Sequence, residues 1–455
     1  MTTALTLTAL PYACDPLNYF ARLRHRPSAV LLDSGRPHAK GRFDIMASDP
    51  LAVLSVSASG ETEISADTHP HLAAPPEALL GRSFALQQWL LDQLALPALE
   101  SELPFLGGLI GFWSYDLGRA QQGVASRHSP VSALPQARVG LFDWSLTLDH
   151  ERQQAWLVAT AARRDEVLAW LRKAQRQEAP FRLTAPFAAE MTAKDYAQRF
   201  DAVKRYINAG DCYQINLAQR FSASFSGDSW QAYQRLRKAT PTPFSGYLAW
   251  EKQAILSVSP ERFIGCRDGH VEARPIKGTR PRGKTPQEDD ALARALLMSP
   301  KDRAENVMIV DLLRNDLGRV CRPGSIHVPA LCALESYPNV HHLVSVVRGE
   351  LTPEATPLTL MAAAFPGGSI TGAPKIRAMQ IIDELEPCQR SAYCGSLGYI
   401  DRRGQMDTSI AIRTLIADGD RLHVWGGGGL VADSEASEEY AETYAKIRHL
   451  IGALE

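Results

Sequence analysis

Apolar and polar positions alternate with two different periods along this chain, and the change of period sorts it into elements. Ala29 to Leu32 and Ala52 to Val56 are short β-prone runs. Ser83 stands where it can cap a helix whose apolar stripe includes Leu86, Trp89, Leu90 and Leu94. Thr62 to Pro76, rich in Thr, Ala, Pro and charge, reads as an exposed loop. Leu106 to Phe112 reads as a strand whose glycines let another backbone come close. A softer stretch, Gln175 to Glu190, contains Pro180 and Pro186 and divides the chain into an N-terminal α/β region, 1–185, and a second region, 186–455.

The second region is patterned more sharply. Thr192 caps a helix carrying Tyr196, Phe200, Val203 and Ile207, closed by Gly210. An alternating strand follows, with Tyr213, Ile215 and Leu217 on one face and Gln214, Asn216 and Ala218 on the other. Further strands are expected at Ala254–Val258, His342–Val347, Ser396–Ile400 and Ser409–Ile416, and helices at Asp302–Leu313, Pro374–Leu385 and Glu435–Leu454. Strands and helices do not alternate regularly, which predicts an α+β fold of largely antiparallel sheet with helices outside.

Composition narrows the class. The chain has 455 residues, with 49 basic against 50 acidic side chains and a formal charge of -1. That balance gives no electrostatic reason to expect nucleic acid or an anionic membrane as partner. No apolar run reaches the roughly 18 residues that span a bilayer. Met1 to Leu5 lacks a basic segment ahead of an apolar one, so a signal peptide is not expected. The seven cysteines include no Cys-x-x-Cys pair, a pattern of reduced thiols in the cytoplasm.

Three groups of residues could carry chemistry. Asp302 and Glu305 lie three apart on one predicted helix, Glu439 and Glu442 three apart on another, so each pair shares one side of its helix. Two such helices facing one pocket would suit magnesium, which takes one or two carboxylates plus oxygens from water and substrate. On spacing alone, an ordinary solvated face is the commoner outcome. Two glycine-rich stretches, Pro366 to Pro374 and Gly426 to Gly429, could bring backbone amides to an anion, or could simply be tight turns. Neither has the spacing of a nucleotide-binding loop. Lys277, in Arg274-Pro275-Ile276-Lys277-Gly278-Thr279, would be a solvated turn residue if exposed; buried, it would lose its proton easily and could attack carbon.

Several segments in one order resemble the chorismate-utilising enzymes. They are Pro275 to Thr279, Asp302 to Asn306, Asp311 with Arg314 to Asp316, His342-Leu343, Gly368 to Lys375, Ile412 to Thr414, and Gly429 through Ala432 to Ser434. The resemblance covers residues ~190 to 455 and extends more loosely to the N-terminal half. It implies a sandwich of largely antiparallel sheets and a Mg2+ ion, with Glu305 and Glu442 as metal carboxylates and Asp302 and Glu439 in support. The amides of Gly427, Gly428 and Gly429 would meet the ring carboxylate of chorismate, and Arg413 and Tyr393 the enolpyruvyl carboxylate. Gln214, Thr279, His342, Ser369, Thr371, Gly372 and Lys446 are implied as further substrate-binding residues.

Two positions separate the chemistries of that family. Members that add water resemble one another in a lysine base where this chain has Gln214, and anthranilate-forming members usually carry alanine where it has Lys277. Gln214 with Lys277 resembles the aminodeoxychorismate-forming branch, with Lys277 as nucleophile and Glu261 as acid. Anthranilate formation and a non-catalytic metabolite sensor are the alternatives. No cysteine sits in a glycine-flanked nucleophile elbow, so the resemblance implies ammonia from a glutamine amidotransferase partner subunit. Leu31 to Ser34 resembles the tryptophan pocket of anthranilate synthases, with Asp33 in place of their glutamate. By motif position, L-tryptophan would be held by Ser34, Lys40, Gly41, Arg42, Phe43, Pro243, Phe244 and Ser245. Lys40-Gly41 departs from that pattern, and a strand ending in a polar turn fits the residues equally.

Overall fold

A computed structural model describes residues 4–37, 41–65, 74–174, 179–337 and 340–455. Two sheets, of 12 and 11 strands, carry the described chain, and their pairings are antiparallel. Apolar side chains from both meet in one core that includes Ile110, Phe112, Trp113, Ile215, Leu217, Ile416 and Trp425. The outer face of the 12-stranded sheet packs a second core, including Leu256, Val258 and Leu415, against helices Leu17–Leu23, Ser229–Ala239 and Arg448–Leu454 through Phe20, Tyr233 and Leu450. The expected α+β sandwich with outer helices is what forms.

Both sheets draw strands from either side of residue 186. Val30–Asp33 pairs with Phe244–Trp250 in the larger sheet, and Gly108–Trp113 with Ser396–Asp401 in the smaller. In the second pairing Gly111 lies opposite Gly398, and a Cβ on Gly111 would come within 2.1 Å of the Arg138 carbonyl oxygen. The close backbone approach read from that glycine-rich strand is real.

Thr192 caps helix Ala193–Asn208 as expected, accepting from the Asp195 amide at 3.2 Å in a capping box. Other expectations need correction. Ser83 lies inside helix Ser83–Leu91, whose cap position is Arg82, and its hydroxyl accepts from Gln87. Thr62–Ser65, expected in a loop, is an edge strand on Ala52–Val56. Within the soft stretch, Arg182–Ala189 is a strand on Gln214–Ser226; edge position tolerates its proline. Pro374 occupies the cap of helix Lys375–Leu385 rather than its first turn.

Three corrections bear on the site. The run Ser409–Ile416 is two strands: Met406–Ile410 lies in the smaller sheet and Thr414–Asp418 in the larger. The chain crosses between sheets at Ala411–Arg413, where Arg413 takes φ +50°. The glycines after Trp425 do not follow a strand but lie within it, Arg421–Leu430. The last helix breaks after Ala445 and resumes at Arg448, while Lys446 keeps its helical pairing with Glu442.

Candidate active site

Strand Ile276–Pro281 carries Lys277. Its register against Val340–Glu350 slips between Lys277, opposite Leu343, and Thr279, opposite His342. Gly278 is the extra residue of this bulge, at φ +75°, where a Cβ would meet Leu296 at 2.7 Å and Asp302 at 2.9 Å. The bulge turns the Lys277 amine inward, and Nζ donates to the Ser369 carbonyl at 3.3 Å. The side chain is half-buried and keeps some solvent access, yet enough protein surrounds it that burial pushes its pKa below the ordinary lysine value; Glu305 and Glu261 oppose the shift.

Glu261, 8% exposed, follows strand Gln253–Ser259 and shares this environment. Burial raises its carboxyl to about 7, against the opposing effects of Lys277, the Ile276 amide, Lys446 and Arg413. A carboxyl near neutrality can hold a proton at physiological pH and give it up.

The two acidic helices converge, where spacing alone favoured a solvated face. Asp302 and Glu305 ride on Pro300–Leu317, which Ser299 caps, and Glu439 and Glu442 on Ala436–Ala445. Burial raises the pKa of Glu305, and Asp302 and Glu442 add to it. Burial also raises Glu439, although Ser434 donates to its Oε1 at 2.6 Å. Glu439 Oε2 is buried without a hydrogen-bond partner. Asp302 is committed to Arg280 at 3.0 Å, and Glu442 to Lys446 at 2.6 Å. Among the described residues no three His, Cys, Asp or Glu side chains form a ready ligand cluster. Magnesium does not need one: two carboxylates suffice when water and substrate supply the rest. The unpaired Glu439 oxygen and the crowded Glu305 and Glu442 fit a cation there.

The glycine strand lies against these helices. A Cβ on Gly428 would sit 2.9 Å from Glu439 Oε2 and 3.1 Å from Glu442 Oε1, so any side chain there would push these carboxylates aside. In an antiparallel ladder a residue's N–H and C=O share one edge. Gly428 lies opposite Leu217, and the Gly427 carbonyl instead accepts from Lys446 Nζ at 2.7 Å on the other edge. The peptide groups of Gly427 and Gly429 therefore face the open edge, while that of Gly428 faces the ladder. Gln214, fully buried, packs its amide under Gly429, and neither its Oε1 nor its Nε2 has a partner.

The other expected pocket members line the same region. Thr279 Oγ1 and His342 Nδ1 are 2.9 Å apart, and burial with the nearby Arg413 cation keeps the imidazole toward its neutral form. Arg413 makes no side-chain hydrogen bond or ion pair among the described residues; Glu261 is the anion whose field reaches it. Tyr393 stacks on Trp425 at 5.9 Å. Thr371 is fully buried, its hydroxyl donating to the Gly367 carbonyl at 3.0 Å, and Gly372, at φ +145°, passes so close to the Gln214 carbonyl that a Cβ would stand 2.1 Å away. Lys375, at the end of that glycine-rich run, is spent on a buried ion pair with Asp316 at 2.6 Å.

A cavity of 1590 Å³ between the sheets meets this cluster at Ile276, His342 and Arg413; Asp302, Glu305, Glu439 and Glu442 do not line it. Its far end is lined by Ser34, Gly41, Arg42, Phe43, Pro243, Phe244 and Ser245. There Asp33 is buried and bound by Arg237 and Tyr233, and Arg42 is paired with Asp149 at 2.9 Å. Ser34 Oγ is buried without a partner. Lys40 lies outside the described residues. Sequence reasoning missed the Ser369 carbonyl, because a backbone acceptor leaves no trace in residue type. It also missed the buried Glu386–Arg390 pair, whose i,i+4 spacing was its only signal.

Comparison with known proteins fits this geometry. The profile of a family described as "chorismate binding enzyme" matches residues 33–452. A protein of Salmonella typhimurium named aminodeoxychorismate synthase component 1 is 45% identical over 456 residues, covering 100% of this chain and 98% of that protein. One of the same name from Escherichia coli is 46% identical over 443 residues, covering 96% and 95%. The crystal structure of anthranilate synthase component I from Streptococcus pneumoniae superposes with a TM-score of 0.78 at 30% identity, covering 90% of this chain and 92% of that one.

Proposed function

The chain belongs to the chorismate-binding enzyme family, and on that footing we propose that it makes 4-amino-4-deoxychorismate from chorismate and ammonia. The relatives matched at 45% and 46% over nearly their whole length carry the corresponding name, whereas an anthranilate synthase component 1 of Synechocystis is 36% identical. One observation carries the chemistry: a lysine amine whose pKa burial lowers, near a carboxyl held at about 7.

In the first displacement the neutral Lys277 amine attacks across the conjugated ring. The ring hydroxyl leaves as water with a proton from Glu261, and the carboxylate so formed takes the proton that the lysine nitrogen gives up. Ammonia then attacks the carbon that bore the hydroxyl and expels the lysine, whose nitrogen leaves with a proton from Glu261 while the new ammonium nitrogen returns one to that carboxylate. This leaves the amine para to the ring carboxylate with the enolpyruvyl group in place. Arg413 and Tyr393 hold the enolpyruvyl carboxylate; the open-edge amides of Gly427 and Gly429 meet the ring carboxylate. Glu305 and Glu442, supported by Asp302 and Glu439, would hold Mg2+, which when bound neutralises the ring carboxylate. Gln214 cannot serve as a base for water.

The relatives' designation as component 1 supports a partner component, here a glutamine amidotransferase supplying ammonia in the cytoplasm. The unpaired Ser34 hydroxyl supports a bound L-tryptophan beside Phe43 and Phe244. The test is product mass after incubation with chorismate, Mg2+ and ammonium. The wild type should yield 4-amino-4-deoxychorismate and, without ammonium, a covalent adduct that Lys277→Ala abolishes. Pyruvate release would assign anthranilate formation instead, and no turnover a sensor. Full rate in Lys277→Ala without adduct would overturn the mechanism.

A further inference from the structure

Strand Gln214–Ser226 is paired along one edge by Arg421–Leu430, but its other edge has a gap. Gly372–Ala373 covers Gln214 and Ile215, and the pairing with Arg182–Ala189 begins only at Phe221. The peptide groups between need partners, since a buried unpaired one costs about 1–3 kcal/mol. Asn216 N–H donates to the Thr371 carbonyl at 2.8 Å. The Asn216 carbonyl accepts from Arg390 Nη2 at 2.5 Å, and Ala218 N–H donates to Glu386 Oε1 at 2.8 Å. Arg390 and Glu386 close on each other at 2.6 and 2.8 Å. An ion pair thus stands where a neighbouring strand would.

The same guanidinium reaches two more elements. Its Nη1 donates to the Ile370 carbonyl at 2.8 Å, which Asn216 Nδ2 also holds at 2.9 Å. Its carbon lies 4.6 Å from the Tyr115 ring and 5.9 Å from the Tyr393 ring. Arg390 is 1% exposed and Glu386 3%. Burying such a pair is costly, and an apolar replacement of both partners is often as stable or more so. Here the pair also gives the Asn216 carbonyl and the Ala218 N–H their partners, so it serves stability and geometry together.

The geometry points to Arg390 as a positioning residue that sets the substrate's carboxylate sites without touching the substrate. Through Asn216 it fixes the strand opposite Gly427 and Gly429, through Ile370 the turn bearing Thr371, and by packing the ring of Tyr393. This rests on the preceding assignment of those groups to chorismate. The helices bearing Asp302, Glu305, Glu439 and Glu442 lie outside its contacts, so it should act on the organic substrate and not on the metal.

The experiment compares Arg390→Ala, Arg390→Lys and the double variant Arg390→Met/Glu386→Met in the full chain. Chorismate affinity is read by calorimetry, kcat and KM with ammonium as donor, Mg2+ affinity separately, and folding by thermal melting. A displacement of about 1 Å in such contacts costs about 10²-fold. Both Arg390→Ala and the double variant should lose kcat/KM by about that factor, with weaker chorismate binding and Mg2+ affinity within about twofold. Lysine should not rescue, lacking the planar fork, while added guanidinium should restore Arg390→Ala at least about tenfold. The double variant leaves the Asn216 carbonyl and the Ala218 N–H without partners and should melt lower than wild type. Binding and kcat/KM are therefore read well below its melting midpoint, where an Mg2+ affinity within about twofold separates positioning from unfolding. Wild-type affinity and kcat/KM in a folded double variant would overturn the inference, as would equal weakening of chorismate and Mg2+. A wild-type product other than 4-amino-4-deoxychorismate would refute the proposed reaction and leave this comparison intact.

Discussion

Replacing Glu261 by glutamine should stabilise the folded chain above pH 7 while slowing its reaction. The side chain is 8% exposed, and its carboxyl, ordinarily at 4.5, is lifted to about 7 by burial. Between those two values the folded chain keeps a proton that the unfolded chain has released. Stability from this group is therefore fully present below 4.5, falls as pH rises through about 7, and is flat beyond. The gap corresponds to about 3 kcal/mol. Glutamine has the same shape and no charge, so it removes the pH dependence. The net gain is smaller than the full figure because Lys277 loses an opposing anion, and about 1–3 kcal/mol is expected at pH 8.5 with almost none at pH 4.5. Urea unfolding at both pH values, with unchanged slope, measures it. Turnover should drop by about 10²-fold or more, since glutamine cannot supply the proton. An equal effect of Glu261→Gln on stability at pH 4.5 and 8.5 would refute the reasoning, because the carboxyl would then not be ionising at a cost.

Gly428→Ala places a methyl carbon 2.9 Å from Glu439 Oε2 and 3.1 Å from Glu442 Oε1. The Mg2+ concentration for half-maximal rate should rise about tenfold, measured by titration at saturating chorismate; an unchanged midpoint would remove the glycine from the metal side of the site. Denaturing the purified protein should release L-tryptophan, detected by mass at near one per chain, and Ser34→Ala should lower that yield. No tryptophan from wild type would leave the Ser34 pocket without this ligand.

How much of this was legible depended on whether a feature lives in side-chain pattern or in backbone course. The cap at Thr192, the alternating strand from Gln214 and the helix bearing Asp302 and Glu305 were readable, because local periodicity and capping suffice to specify them. The convergence of two acidic helices followed only from the family resemblance; spacing alone pointed to solvent. Arg413 was placed in a strand because Ser409–Ile416 has a β-like composition on both sides of the crossing. Nothing in that composition announces a φ of +50° at an arginine. The helix break after Ala445 was likewise hidden, since the apolar stripe runs through it. Gly426–Gly429 read as a turn, the usual place for such a run, whereas tertiary pairing with Gln214–Ser226 keeps it extended. Arg390 was invisible because its partners are main-chain carbonyls three segments apart in sequence.

The opposite shifts of Lys277 and Glu261 have a single origin, and it bears on which protonation state prevails. A lysine and a glutamate drawn into one site can exist as an ion pair or as a neutral amine and a neutral acid, and only the second state is ready for attack on the ring with loss of its hydroxyl. Attraction favours the ion pair: at contact, about 4 Å, it is worth on the order of 4 kcal/mol in a partly polar interior. Here no direct contact forms. Lys277 Nζ turns instead to the neutral Ser369 carbonyl at 3.3 Å, held there by the bulge at Gly278. Attraction across a gap weakens, whereas the cost of keeping two charges away from water does not. Burial is accordingly the largest cause for both groups, driving the amine down and the acid up. The bulge thus aims the amine at the Ser369 carbonyl, out of direct contact with the acid it works near, while Glu305 is the larger of the anions that oppose its loss of a proton.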